Sequence, residues 1–377
     1  MSAWRDKYVI GLTGNIATGK SVVRKMLEHL GAYGIDADAL ANRAIAQDAP
    51  GYQVVVDTFG TWILNPDGQI NRGKLGRIVF NDPEALRQLE SIVHPLVGKA
   101  IDLLVRRSHH KVIVLEAIKL LESGLDEACD SIWVTVASPQ VRLSRLVHKR
   151  GMDEATALER IRSQPPQEEK IAAAQVIIRN EAGFEEIWNQ VLAAWQEIIP
   201  TLEIEAERPR KPSKGEMLVE RARLQHAEEI ATFVSRFGKA SQEMTRQDVI
   251  AAFGERAFLL LNKDDRLIGV IGWQVENLVA RTSDVFLKPG TPLREAMSLL
   301  MGEMERASRD LQCEVSLLFL PPSLARHEEV WGSLGYDPRT IQSLKVRAWQ
   351  EAAQESMPKG TVLLFKQLRK DRVLRPV

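Results

Sequence analysis

The apolar positions of the first half of the chain fall into short unbroken runs. KYVIGLT (Lys7–Thr13), VIVLEA (Val112–Ala117) and SIWVTVA (Ser131–Ala137) lack an alternating polar face. Runs of that length without alternation predict strands buried on both faces. Ala32–Asp36 and Gln175–Arg179 are shorter runs of the same kind. Between them the spacing is helical. Ser21–Leu30 places Val22, Val23, Met26, Leu27 and Leu30 on one face, and helices are also predicted over Ala37–Ala46, Pro139–Lys149 and Phe184–Ile199. Strand and helix alternating in this way predict a parallel sheet covered on both faces, an α/β fold.

The second half is patterned differently. Strands are predicted at Met217–Ala222, Ala257–Asn262, Leu267–Val275, Thr282–Leu287, Glu314–Leu320 and Thr361–Leu368. Helices are predicted at His226–Phe237, Leu293–Ser308 and Ser323–Leu334. Lys263–Arg266 reads as a hairpin turn, and the whole as an α+β domain with a mostly antiparallel sheet. Between the halves, EIEAERPRKPSKGE (Glu203–Glu216) is charged and holds Pro209 and Pro212, so it reads as a linker. The expected domains are therefore 1–202 and 216–377, joined by 203–215.

Composition narrows the function classes. Fifty Lys and Arg balance fifty Asp and Glu, which gives no reason to expect nucleic acid or an anionic membrane as partner. No apolar run reaches spanning length, and the start MSAWRDKYVIGLTG is not a signal peptide. Cys129 and Cys313 match no metal or redox spacing and read as inert thiols of a reducing, cytoplasmic compartment.

The chemistry starts at GNIATGKS. Gly14, Asn15, Ile16, Ala17, Thr18, Gly19, Lys20 and Ser21 fit G-x-x-x-x-G-K-[ST], between a predicted strand and a predicted helix. The glycines let the backbone curl so that several N–H groups face one anion, and the helix end adds positive charge. Lys20 is expected at the outer phosphates and Ser21 at Mg²⁺, with ATP as phosphoryl donor. The letters Asn262-Lys263-Asp264-Asp265 would suit a guanine-reading loop, but in a hairpin they are ordinary turn residues. Asp36 and Asp38 close the second predicted strand, at the rim where such sheets bind ligands. One of them, Asp36, reads as a helix cap; the other could accept a proton or help to hold the metal.

The runs IGLTGNIATGKS, GIDADALA, FGTWILNPDGQINRGKLGRIVF, HPLV, LLES, RLVHKRGM, RIRSQPPQEEK and VIIRN occur in that order. This succession resembles the dephospho-coenzyme A kinases over about residues 7–200, and Phe59–Phe80 is its most diagnostic block. The resemblance implies a P-loop NTPase-type sheet with a lid, and transfer of the ATP γ-phosphate to the ribose 3′-hydroxyl of dephospho-coenzyme A. It also implies Asp38 as general base, Arg72 and His94 at the acceptor, Arg142 and Arg150 bracketing the lid, and Asn180 near the nucleotide base. Gly14–Val22 would bind ATP, with Lys20 and Arg150 assisting the transfer.

The chain departs from the pattern at three places. Asn15 and Ala17 stand where the usual loop has glycine. The P-L-L-x-E run appears as Ile118-Lys119-Leu120-Leu121-Glu122, without its proline and with a lysine that could meet the acceptor's diphosphate or simply face solvent. Glu116 stands at the strand end where other phosphate-loop enzymes carry an acidic metal-shell residue.

The element order of the second half, with Trp331–Pro338 (WGSLGYDP), resembles GNAT-type acetyltransferases. Their glycine-rich anion turn would fall on Leu287–Ala296, which has one glycine and two prolines. Proline offers no N–H, so the cradle is incomplete and a non-catalytic module is favoured, one binding coenzyme A or providing a dimer surface. Open alternatives are a bifunctional kinase and N-acetyltransferase, an ATP-binding regulator with a decayed kinase site, and a kinase for another nucleoside-like alcohol.

Overall fold

The computed structural model describes residues 4, 6–149, 151–181, 183–198, 215–238, 244–276 and 278–369. Contacts divide the chain into two compact units, the first running to Glu181 and the second beginning at Ala182. This boundary precedes the one read from composition. The helix at 184–198 groups with the second unit, where Phe184 packs on that unit's core and Glu185 pairs with Arg246 at 3.0 Å. Nearly all of the linker lies outside the described residues.

In the first unit the order is β1 (Tyr8–Thr13), α1 (Lys20–His29), β2 (Tyr33–Asp36), α2 (Ala37–Ala44), α3 (Tyr52–Phe59), α4 (Arg72–Asn81), α5 (Pro83–Arg107) and β3 (Val112–Glu116). Then come β4 (Ser131–Val136), α6 (Pro139–Ser144), one π-helical turn at Arg145–Lys149, α7 (Glu154–Arg162), α8 (Gln167–Ala172) and β5 (Val176–Arg179). The sheet is ordered β2-β3-β1-β4-β5 and every pair is parallel. All residues of β3 and β4 are buried, as the unbroken apolar runs require. β1 is central and flanked by β3 and β4, so the chain leaves it at the rim where the strand order switches.

The block Phe59–Phe80 is a small folded unit whose characteristic letters serve the backbone. Gly60 and Gly68 have positive φ, Leu64 bridges Ile70, and Asn71 caps α4 by accepting from the Lys74 N–H. The cap places Arg72 at the first turn of α4.

In the second unit α9 (Phe184–Ile198) precedes β6 (Met217–Arg221), α10 (Ala227–Phe237), α11 (Arg246–Phe253), β7 (Ala257–Lys263), β8 (Arg266–Glu276), β9 (Val279–Leu287) and α12 (Leu293–Asp310). β10 (Val315–Leu320), α13 (Pro322–Ala325), α14 (Glu328–Ser333), β11 (Asp337–Pro338), α15 (Arg347–Ser356) and β12 (Val362–Gln367) complete it. Its sheet, β11-β12-β10-β9-β8-β7-β6, is antiparallel except for the β9–β10 pair. Asp264 and Asp265 both have positive φ in the β7–β8 hairpin, which suits a tight primed turn and removes Asn262–Asp265 from consideration as a base-reading loop. The helix expected over Ser323–Leu334 is broken into α13 and α14 at Arg326–His327. No described helix is long and apolar enough to cross a membrane.

Candidate active site

Gly14–Gly19 curls between β1 and α1. Thr18 anchors the curl: its hydroxyl lies 2.8 Å from the Asn15 carbonyl and 2.7 Å from the Thr135 hydroxyl on β4. The Ile16 N–H donates to Gln164 Oε1 at 2.7 Å, and the Val22 N–H to the Gly19 carbonyl at 3.0 Å. Among the described residues the N–H groups of Ala17, Gly19 and Ser21 have no protein acceptor. Backbone donors of that kind at a helix start form an anion nest. Lys20 Nζ folds back on the Gly14 carbonyl at 3.0 Å and the Asn15 carbonyl at 3.4 Å, inside the curl it would share with phosphates.

The two departures from glycine have different consequences. Ala17 sits at φ 61°, in the left-handed region that glycine enters without cost. Asn15 is buried, and its side chain donates to the Pro165 carbonyl at 2.8 Å. The extra amide thus ties the loop to the segment that returns from α7.

Gly19 leaves no room for a side chain. Its φ is 98°, and an added Cβ would lie 2.0 Å from Asn180 Nδ2. Asn180 cannot easily yield, since it donates to the Thr18 carbonyl at 2.8 Å and accepts from Arg145 at 2.6 Å. Gly19→Ala is therefore expected to raise the KM for ATP at least about tenfold, the loss of roughly one good hydrogen bond to a charged group. Steady-state kinetics against ATP check this, and an unchanged KM would show that the loop absorbs the methyl.

Two arginines, one on α6 and one at the π-helical turn after it, hold the outside of the loop. Arg142 Nε donates to the Ile16 carbonyl at 2.9 Å and its terminal nitrogen to Gln164 at 3.0 Å. Arg145, one turn on, donates to the Ala17 carbonyl and to Asn180. Burial lowers the pKa of both guanidinium groups. In this conformation Asn180 and Arg142 support loop backbone. Arg150 lies outside the described residues.

Beside the loop is a carboxylate cluster. Asp36 caps α2 by accepting from the Ala39 N–H at 2.8 Å, as the pattern predicted for one of the two aspartates. Burial raises its carboxyl to about 6, Glu116 pushes the same way, and Arg24 opposes both. Asp38 Oδ2 accepts from the Ile118 N–H at 3.1 Å. Its carboxyl is raised by burial against the pull of that N–H and of Lys20 and Lys170. Position 118 is where the resembled pattern has proline, so this donor exists only because isoleucine replaces it.

Ser21 Oγ donates to Glu116 Oε1 at 2.9 Å, and Arg24 Nε donates to Glu116 Oε2 at 2.7 Å. Ser21 and Glu116 thus converge as hard oxygen donors, the kind Mg²⁺ takes in small number alongside phosphates. Among the described residues no three His, Cys, Asp or Glu side chains form a self-sufficient metal cage.

Of the residues expected at the acceptor, Arg72 is exposed at the start of α4 and His94 is exposed on α5. Lys119 is ion-paired with Glu90 at 3.1 Å, one helical turn from His94. Sequence reasoning did not single out Arg24, Arg145, Gln164 or Lys170. Arg145, Gln164 and Lys170 lie inside the quoted runs RLVHKRGM and RIRSQPPQEEK; Arg24 had no signal beyond its place in α1.

A family model described as dephospho-CoA kinase matches residues 8–186. The dephospho-CoA kinase of Geobacter metallireducens is 42% identical over 194 residues, 51% of this chain and 96% of that protein. The dephospho-CoA kinase of Carboxydothermus hydrogenoformans is 43% identical over 191 residues, 50% of this chain and 93% of that protein. Among solved structures, a PaiA N-acetyltransferase from Thermoplasma acidophilum in complex with coenzyme A covers 40% of this chain and 99% of its own. Its identity is 12% and its TM-score 0.32, which assigns nothing to the second unit. Over its N-terminal half, at this identity and across nearly the full length of those relatives, the chain belongs to the dephospho-CoA kinase family.

Proposed function

We propose that the N-terminal half phosphorylates the ribose 3′-hydroxyl of dephospho-coenzyme A with ATP, giving coenzyme A, and that Asp38 is the base. The observation that carries the roles is the placement of Asp38. It stands in the first turn of α2, half-buried and aimed by a backbone N–H, with Lys20 the next charge acting on it after that bond. A base there accepts the hydroxyl proton as the alcohol attacks, while loop N–H groups and Lys20 hold the phosphates. Arg72, His94 and Lys119 would face the acceptor. The alignments of 191 to 194 residues support counting residues 1–202 with the kinase and 216–377 as an appended module.

Ser21 and Glu116 would hold Mg²⁺, which would neutralise phosphate charge when bound. Arg24 fixes the second Glu116 oxygen and keeps the carboxylate turned toward Ser21. Burial works against the Arg24 charge, but Glu28, Glu116 and Asp36 outweigh it and raise its pKa. Glu116→Gln is expected to raise the Mg²⁺ concentration needed for half-maximal rate at least about tenfold, one charge-assisted contact. Unchanged Mg²⁺ dependence would remove Glu116 from the metal shell.

The second unit reads as a GNAT-like, non-catalytic module. Its α12 has Pro292 at the N-cap position and no side-chain cap, and Pro289 and Pro292 withhold N–H groups from the turn before it. Acetyl-coenzyme A consumption by the full-length protein would overturn that reading. The balanced charge gives no support for a nucleic-acid partner.

A further inference from the structure

Lys170 is 2% exposed and stands on α8, in the segment that follows α7. A buried ammonium is costly unless it is paired and hydrogen-bonded. Its Nζ donates to the Ile118 carbonyl, to Glu122 Oε1 at 3.3 Å and to Thr13 Oγ1 at 3.5 Å. An ammonium has three N–H donors, so each finds an acceptor within the protein. A side chain saturated in this way has no donor left for a phosphate.

What it holds is the residue that aims Asp38. The Ile118 N–H donates to Asp38 Oδ2 at 3.1 Å, and the Ile118 carbonyl accepts from both Lys170 and the Thr13 hydroxyl. Thr13 is the last residue of β1, immediately before the phosphate loop. One residue therefore joins the loop's root, the α8 segment and the base. Holding the Ile118 carbonyl fixes the backbone at that residue, and with it the direction of the N–H that reaches Asp38.

We propose that Lys170 is a positioning residue for phosphoryl transfer, acting through Ile118 on Asp38. The base is then fully aimed only while Lys170 on α8 holds the Ile118 carbonyl. This rests on reading Asp38 as the base.

The test is steady-state kinetics of the full-length protein with ATP, Mg²⁺ and dephospho-coenzyme A. Lys170→Met is expected to lower kcat about 10- to 100-fold, the cost of a misplaced catalytic group. The KM for ATP should change less than about twofold, because Lys170 is saturated by protein acceptors. Lys170→Arg should recover most of kcat. Lys170→Gln keeps a donor without the charge and should fall between native and Met, so a folding defect in the Met variant does not end the test. Ile118→Pro keeps the carbonyl and removes the N–H. In that background Lys170→Met should cost less than about twofold further, because contacting residues that act as one unit are not additive.

A native kcat in any folded Lys170 variant lacking a cation, or full additivity with Ile118→Pro, overturns the proposal. Asp38→Asn, run in parallel, separates the two readings. If it is inactive while Lys170→Met has native kcat, the base stands and the positioning role fails. If Asp38→Asn turns over normally, the base itself is wrong and the proposal falls with it.

Discussion

Asp38→Asn is expected to lower kcat for coenzyme A formation by about 10² to 10⁴, the usual contribution of a positioned general base. The substitution is nearly isosteric and keeps an oxygen able to accept the Ile118 N–H, so packing and ATP binding should survive. The side chain that loses its charge is half-buried and stands in the first turn of α2. The pH dependence adds a second signature. A base must be ionised to work, and burial raises the Asp38 carboxyl above its ordinary value of 3.8. Turnover should therefore fall as pH drops through a value above 3.8, and that limb should vanish from the residual activity of Asp38→Asn. Asp36, raised to about 6 mainly by burial, titrates nearby as the cap of α2. Asp36→Asn keeps the capping oxygen, so it should leave the Asp38 limb in place and remove any second acid transition. A pH–rate profile of native, Asp38→Asn and Asp36→Asn proteins decides; an unchanged acid limb in Asp38→Asn would assign it elsewhere.

Lys20→Ala is the second large effect. The lysine's ammonium lies on the inner carbonyls of Gly14 and Asn15, and the residue is 8% exposed. A cation so enclosed acts on phosphate charge with little screening by water. Its loss should reduce kcat/KM about 10²- to 10³-fold, the scale for removing one preorganised electrostatic stabiliser. The fold should tolerate the change, because the loop is also pinned by Thr18, Asn180 and Arg142. A melting temperature near the native value with this loss of kcat/KM is the expected result. Loss of folding would show instead that Lys20 is a structural strut of the loop.

The phosphate loop was legible because its letters are required by backbone curvature and by one cation at one place. Asp36 was legible as a cap because capping is local, between Asp36 and Ala39. The hairpin at Asp264 and Asp265 was legible for the same reason. What escaped is non-local. Arg145 holds the Ala17 carbonyl from 128 positions away, and Gln164 holds the Ile16 N–H from 148. Such contacts join a polar side chain to backbone, so neither residue type nor spacing announces them, and the charged run around Lys170 looks like a solvated surface. α5 escaped for another reason. Proline ordinarily interrupts a helical pattern, yet Pro95 stands inside a helix of 25 residues. Val93, Val97, Ala100, Ile101, Leu104 and Val105 are buried along it, and that packing outweighs the missing hydrogen bond.

The central claim is tested most directly by following coenzyme A formation from dephospho-coenzyme A, ATP and Mg²⁺ with the full-length protein, beside Asp38→Asn and Lys20→Ala. The account predicts stoichiometric conversion by the native chain and its near loss in both variants. ATP binding without product from the native chain would contradict it, and would point to a regulatory nucleotide-binding protein or to a different acceptor.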